Sequence, residues 1–254
     1  MLRASVNGHA AWLLIDTGAS VHTLAKWFTT AAGIRTHETG GTATGSTGKT
    51  STVLRVDHVE LRLPDGSILG LDEAAVVAFP AVFAKHGIAG LISPQLLAKG
   101  EEATVLDLRV PELQMAASPT PQIASASVGK SCENSTSAFR NRLYTAHVSI
   151  RSTSGLLTVD TGATGTVIAP ESEFAKRLLP ISVIGDHVRG VGGTVEGTRR
   201  VIGVGVDRGG TSVKVDVLIG GAPGSCVADG PLGMDALRAC RVELGAKDAV
   251  LICH

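Results

Sequence analysis

Apolar positions along this chain recur mostly at the two-residue period of strands, not at the longer period of helices. Residues 51–63, STVLRVDHVELRL, alternate apolar and polar side chains and predict a half-buried strand. Residues 74–84, AAVVAFPAVFA, form the longest apolar run. That run is too short to cross a bilayer and contains Pro80, so it reads as a buried strand and turn. Residues 6–20, VNGHAAWLLIDTGAS, predict a strand, a turn and an apolar strand that ends in Asp-Thr-Gly-Ala. Residues 148–164, VSIRSTSGLLTVDTGAT, predict the same succession.

This likeness is the first of three landmarks of an internal repeat. Gly40-Gly41-Thr42 in the first half answers to Gly192-Gly193-Thr194 in the second, and a Val-rich strand pattern follows each. Residues 87–97, GIAGLISPQLL, answer to residues 230–240, GPLGMDALRAC. Each reads as an apolar-Gly turn opening a short helix, followed by an apolar strand. Between the halves, residues 116–142 are rich in Ser, Pro, Thr and Ala and lack hydrophobic periodicity, as expected of a surface linker. The expected organisation is a first lobe of residues 1–115, a linker of residues 116–142 and a second lobe of residues 143–254. Asn134-Ser135-Thr136 in the linker fits a glycosylation sequon, a match too short to carry weight.

Composition sharpens the fold class. With 31 glycines, 3% aromatic residues and many Val, Thr and Ala, the chain favours short strands and turns, hence an all-β fold. Basic and acidic residues balance at 23 each without a dense basic stripe, which argues against nucleic acid as a partner. No apolar segment is long enough for a membrane span, and the N-terminal residues lack the divisions of a signal peptide. Localisation stays open, with secretion or a periplasmic site expected if a signal or anchor has been removed. Cys132, Cys226, Cys240 and Cys253 show no zinc-ligand spacing. Three of them lie near the C-terminal end, where an oxidising compartment allows one disulfide and a reducing one leaves buried thiols. The eight histidines are scattered, so no metal and no other cofactor is expected. Ser93 and Ser225 lack the flanking glycines of a nucleophile elbow.

The chemistry lies in the repeated triplet. One Asp-Thr-Gly is weak as a signal, but two at equivalent places in a repeat are not coincidence. Each follows an apolar run, which sets Asp16 and Asp160 at the ends of buried strands. Asp16-Thr17-Gly18-Ala19 and Asp160-Thr161-Gly162-Ala163 resemble the active-site motifs of the aspartic peptidases, and the apolar-Gly turns at Gly90 and Gly233 resemble that family's second signature. Both lobes in one chain resemble the pepsin type; the Ala after each triplet and the Gly-Gly segments resemble the retroviral type.

The resemblance implies an all-β, two-lobed fold with a pseudo-two-fold axis and a short helix per lobe. It also implies an aspartic endopeptidase that is active as a monomer and binds an extended polypeptide. Asp16 and Asp160 would be the catalytic pair. Two negative charges about 3 Å apart repel by roughly 5 kcal/mol at an effective dielectric near 20, so one proton is shared. The ionised member activates a water and the protonated member polarises the scissile carbonyl. Thr17 and Thr161 would cross-link the loops, and Gly18 and Gly162 would admit backbone N–H groups to the carboxylates. Ala19 and Ala163 replace the hydroxyl residues of many pepsins, which removes a bond that favours ionisation and predicts a less acidic pH optimum. The runner-up is a peptide-binding or regulatory domain of the same fold with little turnover.

Residues 39–50, TGGTATGSTGKT, predict a mobile hairpin, and the resemblance makes it a flap over the substrate, with Gly40, Gly41 and Thr42 in contact. Residues 189–197, RGVGGTVEG, predict a second flap carrying Gly192, Gly193 and Thr194. Residues 43–50 nearly spell a phosphate-binding loop, but a strand pattern follows where that loop needs a helix. Nucleotide binding is therefore not expected.

Overall fold

A computed structural model describes the chain apart from residues 45–49, 99, 111, 117–126, 133–138, 140, 191–192, 209, 222–227, 246–247 and 254, with residues 127–132 described by backbone alone. The first half contains β1 (Leu2–Val6), β2 (His9–Ile15), β3 (Thr23–Ala25), α1 (Lys26–Ala31), β4 (His37–Thr44), β5 (Thr50–Arg62), β6 (Ile68–Val77), α2 (Ala81–Lys85) and β7 (Ile88–Ile92). A 3₁₀ turn, Pro94–Leu96, follows. Next come β8 (Ala103–Asp107), β9 (Glu112–Ala116) and β10 (Ser127–Cys132).

The second half begins at β11 (Leu143–Ile150) and continues through β12 (Thr153–Val159), β13 (Val167–Ile168), α3 (Glu173–Leu178), β14 (Val183–Ile184), β15 (Val188–Gly190) and β16 (Gly193–Val195). It ends with β17 (Arg199–Arg208), β18 (Thr211–Ile219), β19 (Pro231–Leu232), α4 (Met234–Leu237), β20 (Cys240–Leu244) and β21 (Asp248–Cys253). The molecule is a mostly-β protein with barrel-like sheets, in keeping with the all-β, two-lobed expectation.

The repeat is visible in strand pairing. In the first half β1 pairs antiparallel with β2 and with β5, β2 runs parallel to β7, and β3 runs parallel to β6. In the second half β11 pairs with β12 and β17, β12 runs parallel to β19, and β13 runs parallel to β18. Because β1 joins both ends of the β2-β7-β3-β6-β5 path, the first sheet closes on itself. Alternation then sends Val6, Leu13, Leu61 and Ala89 into its fully buried interior. The second interior holds Ile150, Leu157, Val206, Val217 and Leu232.

Both β1–β2 and β11–β12 turn through two residues with positive φ. These are Asn7 (47°) and Gly8 (85°) in the first hairpin, and Arg151 (49°) and Ser152 (66°) in the second. Asn-Gly suits such a turn, whereas Arg-Ser adopts it against its steric preference.

Two findings were not foreseen from the sequence. β8 and β9 precede residue 117 yet extend the second sheet, β8 pairing with β20 and β9 with β8. Within the Ser- and Pro-rich stretch, β10 inserts between β11 and β21. Backbone pairing needs no apolar period, so a polar sequence does not announce such a strand. Cys240 and Cys253 sit opposite each other on β20 and β21 and form a disulfide. Cys226 and the side chain of Cys132 lie outside the described residues.

Candidate active site

Asp16 and Asp160 follow β2 and β12 directly. The Asp16 N–H donates to the Ile92 carbonyl (2.9 Å) and the Asp160 N–H to the Leu232 carbonyl (3.1 Å), so a parallel neighbour strand holds each aspartate backbone. The loops then turn back on their own carboxylates. Asp16 Oδ1 accepts from the N–H groups of Gly18 (2.8 Å) and Ala19 (3.1 Å). Asp160 Oδ1 accepts from those of Gly162 and Ala163, both at 2.9 Å.

The threonines join the loops. Thr17 N–H donates to Thr161 Oγ1 (3.1 Å), and Thr161 N–H donates to Thr17 Oγ1 (3.0 Å). Each hydroxyl in turn donates a hydrogen bond to the opposite strand, Thr17 Oγ1 to the Val159 carbonyl (2.6 Å) and Thr161 Oγ1 to the Ile15 carbonyl (2.9 Å). Four bonds thus cross between the halves beneath the carboxylates. With Thr17 fully buried, breaking them leaves orphaned polar groups.

The glycines explain how close the carboxylates come. A Cβ on Gly18 would lie 2.3 Å from Asp160 Cγ, and one on Gly162 would lie 2.4 Å from Asp16 Cγ. Each carboxylate therefore rests against the glycine of the other loop, which brings the two carboxyl groups within electrostatic reach of each other. Burial pushes both carboxyl groups above their ordinary range. Asp160 is pushed well above it because the Asp16 charge adds to the burial. Among the described hydrogen bonds, both Oδ1 atoms take backbone donors and neither takes a side-chain hydroxyl.

A second layer supports each loop, and the sequence reading missed most of it. In the second half Thr166 Oγ1 accepts from Gly233 N–H (3.2 Å) and donates to Asp235 Oδ1 (2.8 Å), and Met234 N–H donates to the Ala163 carbonyl (2.8 Å). In the first half His22 takes the place of Thr166, its Nδ1 accepting from Ser93 N–H (3.2 Å). Pro94 stands where Met234 does and has no N–H to give. The Ala19 carbonyl is served instead by Ser93 Oγ and by Gln95 Nε2 (2.9 Å). Gln95 Nε2 also reaches the carbonyls of Thr17 (3.2 Å) and Arg142 (2.9 Å), the latter at the entry to β11.

The equivalent bonds from Asp16 N–H to the Ile92 carbonyl and from Asp160 N–H to the Leu232 carbonyl correct the pairing of Gly90 with Gly233. A Cβ on Gly90 would strike the Thr23 carbonyl oxygen at 2.2 Å, and one on Gly230 would strike the Val167 carbonyl oxygen at 2.1 Å. Gly90 and Gly230 are therefore the structural partners, and Gly233 answers to Ser93. The shared steric requirement of the two glycines, rather than their spacing, was the signal to follow.

Of the expected flap residues, Gly40, Gly41 and Thr42 lie in the stem of the β4–β5 hairpin, where the register shifts between Glu38 and Thr42. Residues 45–49 of that hairpin and Gly192 fall outside the described residues. Gly193 and Thr194 lie on β16, which pairs only with β15 among the described strands. The described parts of the two segments thus sit differently, Gly40, Gly41 and Thr42 at a register shift within a stem, and Gly193 and Thr194 at the start of β16. The near phosphate-loop pattern runs into β5, a strand.

Among the described residues, no group of His, Cys, Asp and Glu is arranged to hold a metal ion. No described helix is long and apolar enough to cross a membrane. The sequence profile of the aspartyl protease family matches residues 2–94, a stretch that takes in Asp16 and the β4–β5 hairpin. That match supports a peptidase of the aspartic class. No curated protein matches the chain.

Proposed function

We propose that the protein is an aspartic endopeptidase of retropepsin-like design in a single chain, in which Asp16 and Asp160 share one proton and activate one water. The observation that supports this most is the crossed packing of each carboxylate on the glycine of the opposite loop, with both carboxyl groups shifted upward. A structural aspartate at a strand end has no use for a second carboxylate against it, because the mutual repulsion costs several kcal/mol. General acid–base work does, since it needs one protonated and one ionised partner near working pH. The pair titrates as a unit, so its two apparent pKa values belong to both residues.

In this reading the ionised carboxylate takes a proton from the attacking water while its partner donates to the carbonyl oxygen, and no covalent intermediate forms. Thr17 and Thr161 fix the loops, and Gly18 and Gly162 allow the approach. The β4–β5 and β15–β16 hairpins serve as flaps through Gly40, Gly41, Thr42, Gly192, Gly193 and Thr194. The substrate is a polypeptide held extended by main-chain hydrogen bonds, and the enzyme works as a monomer.

The test is cleavage of a peptide library between pH 3 and 7 by wild type, Asp16→Asn and Asp160→Asn. Cleavage by wild type and by neither variant is the expected result. Peptide binding without cleavage by wild type would favour a binding domain.

A further inference from the structure

One outward position on β2 breaks the polar pattern of the first sheet's outer face. Ala4, Ala11 and Leu13 belong to the closed interior, so alternation turns Arg3 and Trp12, which stand opposite each other on β1 and β2, to the outside. Trp12 is nevertheless a large apolar side chain, and 42% of its surface is exposed. It lines a hollow of about 670 Å³ together with Arg3, Trp27 and Phe28. Trp27, on α1, meets Phe28 edge-on at 5.8 Å between ring centroids. The chain has two tryptophans, and both are in this hollow.

A second hollow, of about 390 Å³, shares His9 and Ala32 with the first, so the two form one groove from Trp12 to Arg35. Its charge is one-sided. Arg3 lines one part and Arg35 the other, and neither has an ion-pair partner among the described residues. Asp57, at the Arg35 end, is already held by Arg55 at 2.6 Å. The buried Trp27 indole N–H also has no acceptor among the described residues, and a buried donor left unmet costs free energy. Tryptophan and arginine, with no lysine or glutamate in the described lining, are the composition of the anchoring part of a protein interface.

We propose that this groove docks a peptide segment of a partner protein, one that carries a Leu or Phe anchor flanked by carboxylates. The anchor enters beside Trp12 and Trp27, and the carboxylates meet the unpaired Arg3 and Arg35. The tryptophans line a hollow rather than a projection, which suits an inserted side chain better than a lipid surface. No lining residue belongs to the loops of Asp16 and Asp160, so docking here goes beyond the peptidase reading and does not depend on it.

The experiment selects a random peptide library, displayed on phage, against the immobilised Asp160→Asn protein, and then measures the enriched sequences as labelled synthetic peptides by fluorescence anisotropy. Enriched peptides should combine Leu or Phe with Asp or Glu. Their affinity should fall about tenfold when Trp12→Ala or Arg3→Ala is added, the scale of an interface anchor. Arg177→Ala, at an exposed arginine on α3, should leave it unchanged. Because both tryptophans line the groove, a bound peptide without Trp should also shift the intrinsic emission. Arg3 is exposed, so Arg3→Ala decides the matter even if Trp12→Ala fails to fold. No enrichment of acidic, apolar-anchored peptides, or enriched peptides that bind every variant alike, would overturn the proposal. Binding to phosphatidylserine vesicles that depends on Trp12 and Arg3, without peptide enrichment, would overturn it in favour of a lipid surface.

Discussion

Pro94 shows how one residue changes the chemistry of its surroundings. It removes the N–H that Met234 supplies in the second half, and Ser93 and Gln95 then carry the Ala19 carbonyl between them. Replacing Gln95 by Ala removes the side-chain donor from the Thr17 and Arg142 carbonyls and leaves the Ala19 carbonyl to Ser93 alone. The expected loss is about 2–4 kcal/mol of stability, read by denaturant unfolding, with a fall in kcat beyond that of a surface variant. Gly18→Ala should abolish turnover, since its Cβ would lie 2.3 Å from Asp160 Cγ and nothing on the rigid loop can yield.

The aspartates themselves make stability depend on pH. Both carboxyl groups sit above their unfolded value of 3.8, so the folded state holds more protons than the unfolded one over the window above it. The contribution is favourable below that value and is lost as pH rises through the folded pKa values. Asp160→Asn should therefore raise the melting temperature at pH 7 and leave it nearly unchanged near pH 3.5. A wild-type rate profile peaking well below pH 4 would contradict the reading of Ala19 and Ala163. At this scale the sequence revealed the paired triplets, because identical tripeptides repeat. It concealed Ser93 and Gln95, because their role arises from a donor that is missing elsewhere.

Elements built on alternation or on a long apolar run were the legible ones, as β2, β5, β6 and β12 show. Hydrophobic period reports the single buried face of β2 and β5, and the unbroken apolar runs report burial on both faces at the ends of β6 and β12. The short pieces escaped, since β13 and β19 are two residues each and owe their pairing to the loops around them. The β11–β12 turn is the element with the most to gain from redesign. Ser152 has a φ of 66°, and Ser152→Gly should add roughly 0.5–1 kcal/mol, seen as a higher melting temperature with activity unchanged. The Gly8→Ser change in the first turn should cost a similar amount.

On the scale of the whole molecule, the division into lobes at the linker was read from composition, while strand pairing ignores composition and carries β8 and β9 across. The consequence falls on biosynthesis. In the second sheet β20 and β21 stand between β10 on one side and β8 on the other, and they follow both by more than a hundred residues in sequence. While the polypeptide emerges from the ribosome, one edge of β8 and one of β10 therefore wait without partners until residues 240–253 have been made, and edges in that condition recruit other chains. Premature termination after Leu237 should leave a product that forms intermolecular β-structure rather than a shortened soluble protein, which light scattering during cell-free translation would detect. β20 and β21 act as the closing stitch, so this sheet is protected from self-association only once both have been made and paired.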